Sequence, residues 1–162
     1  MNRRYSIEEF KNIVELLKKN YEDVNLTTDI IVGFPGETEE EFQKTYEFLK
    51  EIKFYKMHIF KYSPRKGTPA SEMENQIDPQ VKQLRSDRLL NLDRENFRNF
   101  ANKYLEKEVE VLFEKGIDDT TYEGLTPNYI RVVVKSNNDI QGKILKTKII
   151  KINDDYTEGV LI

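Results

Sequence analysis

The chain has 162 residues, with 26 basic side chains against 29 acidic ones and a formal charge of −3. Charged residues make up 34% and apolar ones 38%, the hydrophilic end of a globular composition that can still bury a core. No apolar run exceeds three residues, which excludes a membrane-spanning helix or a signal-peptide core within these residues. There is no Cys and a single His, His58. Disulfides, thiol nucleophiles, Cys-ligated iron–sulfur clusters and ordinary structural zinc sites are therefore excluded within the chain. A Ser-His-Asp triad could use only His58 as its base.

Ser6 and Glu9 form a capping box, and Phe10, Ile13, Val14 and Leu17 recur at helical spacing, so the first element is a helix. Leu26–Val32 is short, β-branched and almost free of charge, a buried parallel strand. The turn Gly33-Phe34-Pro35-Gly36 ends it. Thr38 and Glu41 box a second helix whose apolar face is Phe42, Tyr46 and Leu49; Glu39, Glu40 and Glu41 sit where the helix dipole favours negative charge. Tyr55–Tyr62 alternates and is aromatic, hence a second strand. The order helix–strand–helix–strand is a βαβ unit with one helix in front.

Two prolines and a glycine make Tyr62–Pro69 a loop. Asp78-Pro79 opens a long helix over 79–104, supported by Val81, Leu84, Leu89, Leu92, Phe97, Phe100 and Tyr104. Its basic residues, Lys82, Arg85, Arg88, Arg94, Arg98 and Lys103, suit a linker helix packed on one side and solvated on the other. From Glu106 onward, β-like pieces at Val109–Phe113, Tyr129–Val134, Ile144–Ile150 and Gly159–Ile162 alternate with Gly, Asn and Asp turns. Four or five short strands there predict a small OB-like antiparallel β-barrel. The expected fold class is thus α+β, with a division near residue 104.

Two parallel strands alone leave sheet edges open. Either an oligomeric partner supplies the rest, or the chain is the C-terminal portion of a longer enzyme; the second is the favoured expectation.

TTDIIVGFPGETEEEF, Thr27 to Phe42, resembles the late part of a radical SAM domain, and HIFKYSPRKGTPA, His58 to Ala70, looks like the methylthiotransferases of that superfamily. EGLTPNYIRVVV and GKILKTKI are similar to the TRAM domain that ends those proteins. The matches run through nearly the whole chain in the family's order. They imply the end of a partial (β/α) barrel over 1–75, a linker helix over 76–104 and a TRAM RNA-binding domain over 105–162. Lys66 after Arg65 looks more like the MtaB group, which acts on threonylcarbamoyl-adenosine beside the tRNA anticodon. The MiaB type, acting on isopentenyl-adenosine, more often has Pro there, and the RimO type, acting on a ribosomal protein, tends to lack the Arg.

The family also implies S-adenosylmethionine and two four-iron four-sulfur clusters in the parent enzyme. A methylthiotransferase needs CxxxCxxC and three further cysteines, and this chain has none. The polypeptide alone is expected to be inactive and to carry no cofactor. Its expected partners are tRNA and the missing N-terminal part of the same enzyme, in the cytoplasm and away from membranes. The rival from another class is a stand-alone RNA-binding module.

The Gly33–Thr38 turn follows a strand and opens a helix, so its free N–H groups either face a ligand or serve only a tight βα turn. Three glutamates there repel phosphate and leave adenine or ribose as the better guest. In radical SAM proteins the strand here passes near the adenine of S-adenosylmethionine, which makes Ile31, Val32, Gly33, Phe60 and Tyr62 the candidate cofactor-binding residues. No metal ligand or catalytic side chain is assigned, and His58 is given no role.

For RNA, cations interleaved with aromatics in Lys56–Lys66 single out Arg65 and Lys66, although a solvated charged loop accounts for them equally. On the barrel, Tyr129 and Arg131 precede a lysine cluster, Lys143, Lys146, Lys148 and Lys151. The barrel holds 8 basic and 11 acidic residues, so RNA contact depends on how those charges are distributed. The alternative is that the lysines mark the solvent face of an amphipathic strand.

Overall fold

A computed structural model describes residues 4–21 and 23–162. They form two compact units, Met1–Asp93 and Arg94–Ile162, dividing inside a long helix.

In the first unit, α1 (Ile7–Asn20) starts at the Ser6/Glu9 capping box. Its inward stripe is narrower than the spacing suggests. Val14 is buried with Phe10 packed beside it, while Ile13 stays exposed. β1 (Thr27–Val32) leads through the glycine turn to α2 (Glu39–Ile52), capped by Thr38 and Glu41. β2 (Lys56–Lys61) lies parallel to β1, with Thr28 opposite Met57, Ile30 opposite Ile59 and Val32 opposite Lys61. A one-turn helix, α3 (Pro69–Glu72), follows the expected loop. α4 (Pro79–Ala101) begins where Asp78 accepts the Gln80 N–H at 2.7 Å, and it tightens into a 3₁₀ turn at Asn102–Tyr104. Val14, Val32, Phe42, Leu49, Ile52, Phe54, Met57, Leu89 and Leu92 form the core of this unit, so α1, α2 and α4 supply its helical side chains.

α4 departs from its expected packing. Leu84 is exposed, and the buried stripe is Lys82, Arg85, Ser86, Leu89, Leu92 and Asp93. Spacings of three and four residues put these on one face. Apolar periodicity misses a buried face that is half polar, and two of the helix's basic residues, Lys82 and Arg85, lie on the packed side.

The second unit is a closed five-stranded barrel of β3 (Glu108–Gly116), β4 (Thr121–Leu125), β5 (Arg131–Lys135), β6 (Ile144–Ile152) and β7 (Thr157–Leu161), ordered β3-β4-β5-β7-β6. Every pairing is antiparallel except β5 with β7, which closes the barrel in parallel. The barrel is therefore OB-like and mixed. Val111, Phe113, Val132, Val134 and Ile149 fill the interior. The expected β-like pieces do not include β4, because Glu123 and Gly124 interrupt its apolar alternation. Tyr129, expected in a strand, sits in the β4–β5 loop with φ 64°. No helix among the described residues is long and apolar enough to cross a membrane.

Candidate functional site

Alternation along β1 and β2 gives their sheet two unlike faces. Ile30, Val32, Met57 and Ile59 pack into the helix-covered core. Asp29, Ile31, His58 and Phe60 take the other face and are exposed, in register as Asp29 opposite His58 and Ile31 opposite Phe60. The open face thus decides which candidate residues can meet a ligand. Val32, only 1% exposed, points into the core and is removed from the candidate wall.

Beyond the strand ends, α4 fixes both following loops. Glu37 accepts the Gly33 N–H at 2.6 Å and an Arg85 N–H at 2.8 Å on the same oxygen, and the Glu37 carbonyl accepts from Arg85 at 3.0 Å. Lys82 donates to the Tyr62 carbonyl at 3.1 Å, with its ammonium 5.2 Å from the Tyr62 ring centroid. Phe34 meets that ring edge-on at 5.3 Å between centroids. Gly33 is buried, and a Cβ there would overlap Lys82 Cγ. The space beside Gly33 is thus filled by the helix.

Ile31, Phe60, Tyr62 and Arg65 line one cavity of about 640 Å³, with Thr68 and Ala70 beside them. Its walls are mainly apolar and aromatic, as ligand pockets usually are. The Tyr62 hydroxyl is buried without a hydrogen-bond partner among the described residues. Lys66 does not line this cavity.

On the barrel, the expected lysine cluster meets acids. Lys148 lies opposite Glu108 and Lys146 opposite Glu110 on the β3–β6 ladder. Lys148 pairs with Glu106 at 2.7 Å, and Lys151 with Glu158 at 2.7 Å. The hydrogen bond and charge of Glu106 hold the Lys148 ammonium above its ordinary pKa. Lys143 donates to the Asp139 carbonyl at 2.8 Å. Arg131 pairs with Glu123, which Lys115 also reaches, and with Asp155 at 3.7 Å. Burial pushes the Glu123 carboxyl up, but its bonds and charge contacts with Arg131 and Lys115 outweigh this and leave it lowered. Tyr129 is 71% exposed and lines a smaller cavity with Leu112 and Ile144, rimmed by Glu110 and Glu114. Sequence position alone hides these cross-strand acids, since β3 lies some thirty residues or more before the lysines.

Residues 1–49 match the family model described as "Radical SAM superfamily". Over its whole length the chain is 43% identical to the threonylcarbamoyladenosine tRNA methylthiotransferase MtaB of Bacillus subtilis. It is 40% and 41% identical over its whole length to tRNA-2-methylthio-N(6)-dimethylallyladenosine synthases of Alkaliphilus oremlandii and Aquifex aeolicus. The chain is thus similar, over its whole length, to radical SAM methylthiotransferases. It spans 37% of the Bacillus relative, 35% of the Alkaliphilus one and 37% of the Aquifex one.

The two cofactor types implied by this family fit the chain differently. A four-iron four-sulfur cluster needs thiolates, and the chain has no Cys; no His, Asp and Glu group among the described residues could hold a metal. The mainly apolar and aromatic cavity does suit one side of an adenine, which offers a flat ring.

Proposed function

We propose that the chain is the C-terminal portion of a tRNA methylthiotransferase acting on threonylcarbamoyl-adenosine beside the anticodon. Residues 1–75 would end the radical SAM domain, 76–104 form the linker helix, and 105–162 a TRAM-type RNA-binding domain. The observation that carries this reading is whole-length similarity to such enzymes, joined to a parallel sheet with one bare face and a cavity at its strand ends. Ligands of α/β sheets bind outside the carboxyl ends of the strands, where this cavity lies.

In the whole enzyme, bound S-adenosylmethionine would supply a radical once reduced by a cluster held elsewhere. This chain's residues would bind and orient: Ile31, Phe60 and Tyr62 pack one side of the adenine. Their apolar surface excludes water. Arg65 and Lys66 would take phosphates of the tRNA. On the barrel, Tyr129, Lys143 and Lys146 are the residues best exposed for RNA, whereas Arg131 and Lys148 would arrive already paired with acids.

The DNA upstream of Met1 tests the reading. A continuous frame encoding CxxxCxxC is expected, and an in-frame stop codon directly before Met1 would overturn it in favour of a stand-alone RNA-binding module.

A further inference from the structure

A cavity of about 330 Å³ opens on the outside of the barrel, where Leu112, Leu125 and Ile144 line it beside Tyr129. Leu112 lies opposite Ile144 on one ladder and opposite Leu125 on the other, so adjoining strands supply a continuous apolar floor. Val111 and Phe113 fill the barrel interior, which sends Glu110, Leu112 and Glu114 outward. Tyr129 has φ 64°, a left-handed backbone that a bulky side chain rarely adopts. Among the described residues the other non-glycine positions with positive φ are polar: Lys53, Asn75 and Glu106. The loop holds Tyr129 there. The Thr126 carbonyl accepts the Tyr129 N–H at 2.8 Å, the Thr126 hydroxyl accepts the Ile130 N–H at 2.9 Å, and Asn128 Nδ2 donates to the Tyr104 hydroxyl at 2.7 Å. The outcome is a largely exposed aromatic ring on a fixed, strained backbone, and such strain gathers at ligand sites.

We propose that this cavity seats one unstacked guanine of a bound RNA, an inference that rests on the RNA binding proposed above. Unstacked bases are held by aromatic rings and read on their Watson–Crick edges. Tyr129 stacks on the base, and the apolar floor covers its sugar side. Glu106, Glu123 and Glu158 are each paired with Lys or Arg, whereas Glu110 and Glu114 at the rim have no ion-pair partner among the described residues. Guanine presents two parallel donors, N1–H and the N2 amino group, to the two oxygens of a carboxylate. Adenine and cytosine set an acceptor nitrogen beside their amino group, and uracil sets carbonyls beside its one N–H. Each of those turns a lone pair toward the acid. Lys143, next to Ile144 in the chain, and Lys146, across the ladder from Glu110, take the flanking phosphates.

The test uses the full 162-residue chain and single-stranded uridine heptamers with guanosine, inosine, adenosine, cytidine or uridine at the centre. Fluorescence anisotropy gives the affinities, and methyl NMR of Leu112 and Ile144 reports contact in the cavity. The guanosine RNA is expected to bind about tenfold more tightly than the all-uridine RNA and to move both methyl signals. Inosine, which lacks the N2 amino group, should fall between them. Glu110→Gln with Glu114→Gln should bring the guanosine-to-uridine ratio close to one. Tyr129→Ala should weaken the guanosine RNA by about fivefold or more. Tyr129→Gly, free of the left-handed strain, should lose as much, so that a folding defect does not account for the loss. Equal binding of the five RNAs, or a glutamine variant that binds all of them more tightly at an unchanged ratio, overturns the inference and leaves RNA binding standing. A peptide rich in Lys and Leu that moves the two methyl signals where the RNA does not assigns the groove to a protein partner and also overturns it. Failure to bind any of the RNAs overturns both this inference and the RNA-binding reading.

Discussion

Arg85 and Glu37 meet at 2.8 Å, and the Glu37 carboxylate oxygen in that pair also accepts the Gly33 N–H at 2.6 Å. A charge on α4 thereby sets the backbone of the turn after β1. Arg85 is 5% exposed and sits 5.3 Å from the Phe42 ring centroid, so the pair is held in a dry, apolar setting. Breaking such a pair leaves a charge without compensation, which costs far more than losing an exposed one.

Arg85→Ala should therefore destabilise the first unit by about 3 kcal/mol. Glu39→Ala, which removes the more exposed acid near the same guanidinium, should cost less than about 1 kcal/mol. Urea unfolding of both variants compares them. Similar losses would mean that Arg85 contributes through its stem's packing and not through Glu37.

Gly33 and Gly36 both have positive φ, 72° and 83°, but their surroundings differ. A Cβ at Gly33 would run into Lys82, whereas at Gly36 nothing lies within 4 Å. Gly36→Ala should cost only left-handed backbone strain, about 1 to 2 kcal/mol. Gly33→Ala should cost more, and Lys82→Ala added to it should recover part of the excess. Thermal melts of the two single variants and the double variant decide this. No recovery in the double variant would show that the clash is relieved without Lys82.

The capping boxes make the starts of α1 and α2 sensitive to acid. Backbone and side-chain hydrogen bonds from Ser6 lower the Glu9 pKa below 4.5, and those from Thr38 do the same for Glu41. A carboxylate with a depressed folded pKa stabilises above its unfolded value. That contribution fades as pH falls from about 4.5 through the folded value. Amide exchange at Glu9 and Glu41 should accelerate over this window relative to the middle of each helix. Glu9→Gln and Glu41→Gln should flatten the response. A response that survives both substitutions would assign it to other carboxylates.

The lysines of β6 give a graded forecast for RNA. Lys148 is tied to Glu106, and Lys115 reaches Glu123, so reversing either should change tRNA affinity little. Lys143→Glu with Lys146→Glu should weaken binding and lower the salt slope of log affinity by roughly 0.7 to 0.9 for each phosphate no longer neutralised. A salt titration of parent, double variant and Lys115→Glu measures the slopes. Identical slopes would place the RNA on another face and leave Lys143 and Lys146 as solvent-facing residues of an amphipathic strand.

Local chemistry wrote the element order into the sequence. Ser6 with Glu9 and Thr38 with Glu41 fix helix starts through neighbours three residues apart, and the run before Gly33 leaves a strand as the only short apolar element. The absence of cysteine likewise fixes, with no structure at all, that this chain supplies no thiolate to an iron–sulfur cluster. Which face of β1 and β2 is bare was different, because alternation defines two faces and does not say which one the helices cover. Packing of α1, α2 and α4 decided it, sending Val32 inward and leaving Ile31, Phe60, Asp29 and His58 outside. Tertiary structure also made Lys82 and Arg85 buried clamps on the packed side of α4, and it set Glu108 and Glu110 against Lys148 and Lys146. Those pairings join residues about forty positions apart in the chain. Charge at such separations has no local signature, and only closure of the barrel brings it together.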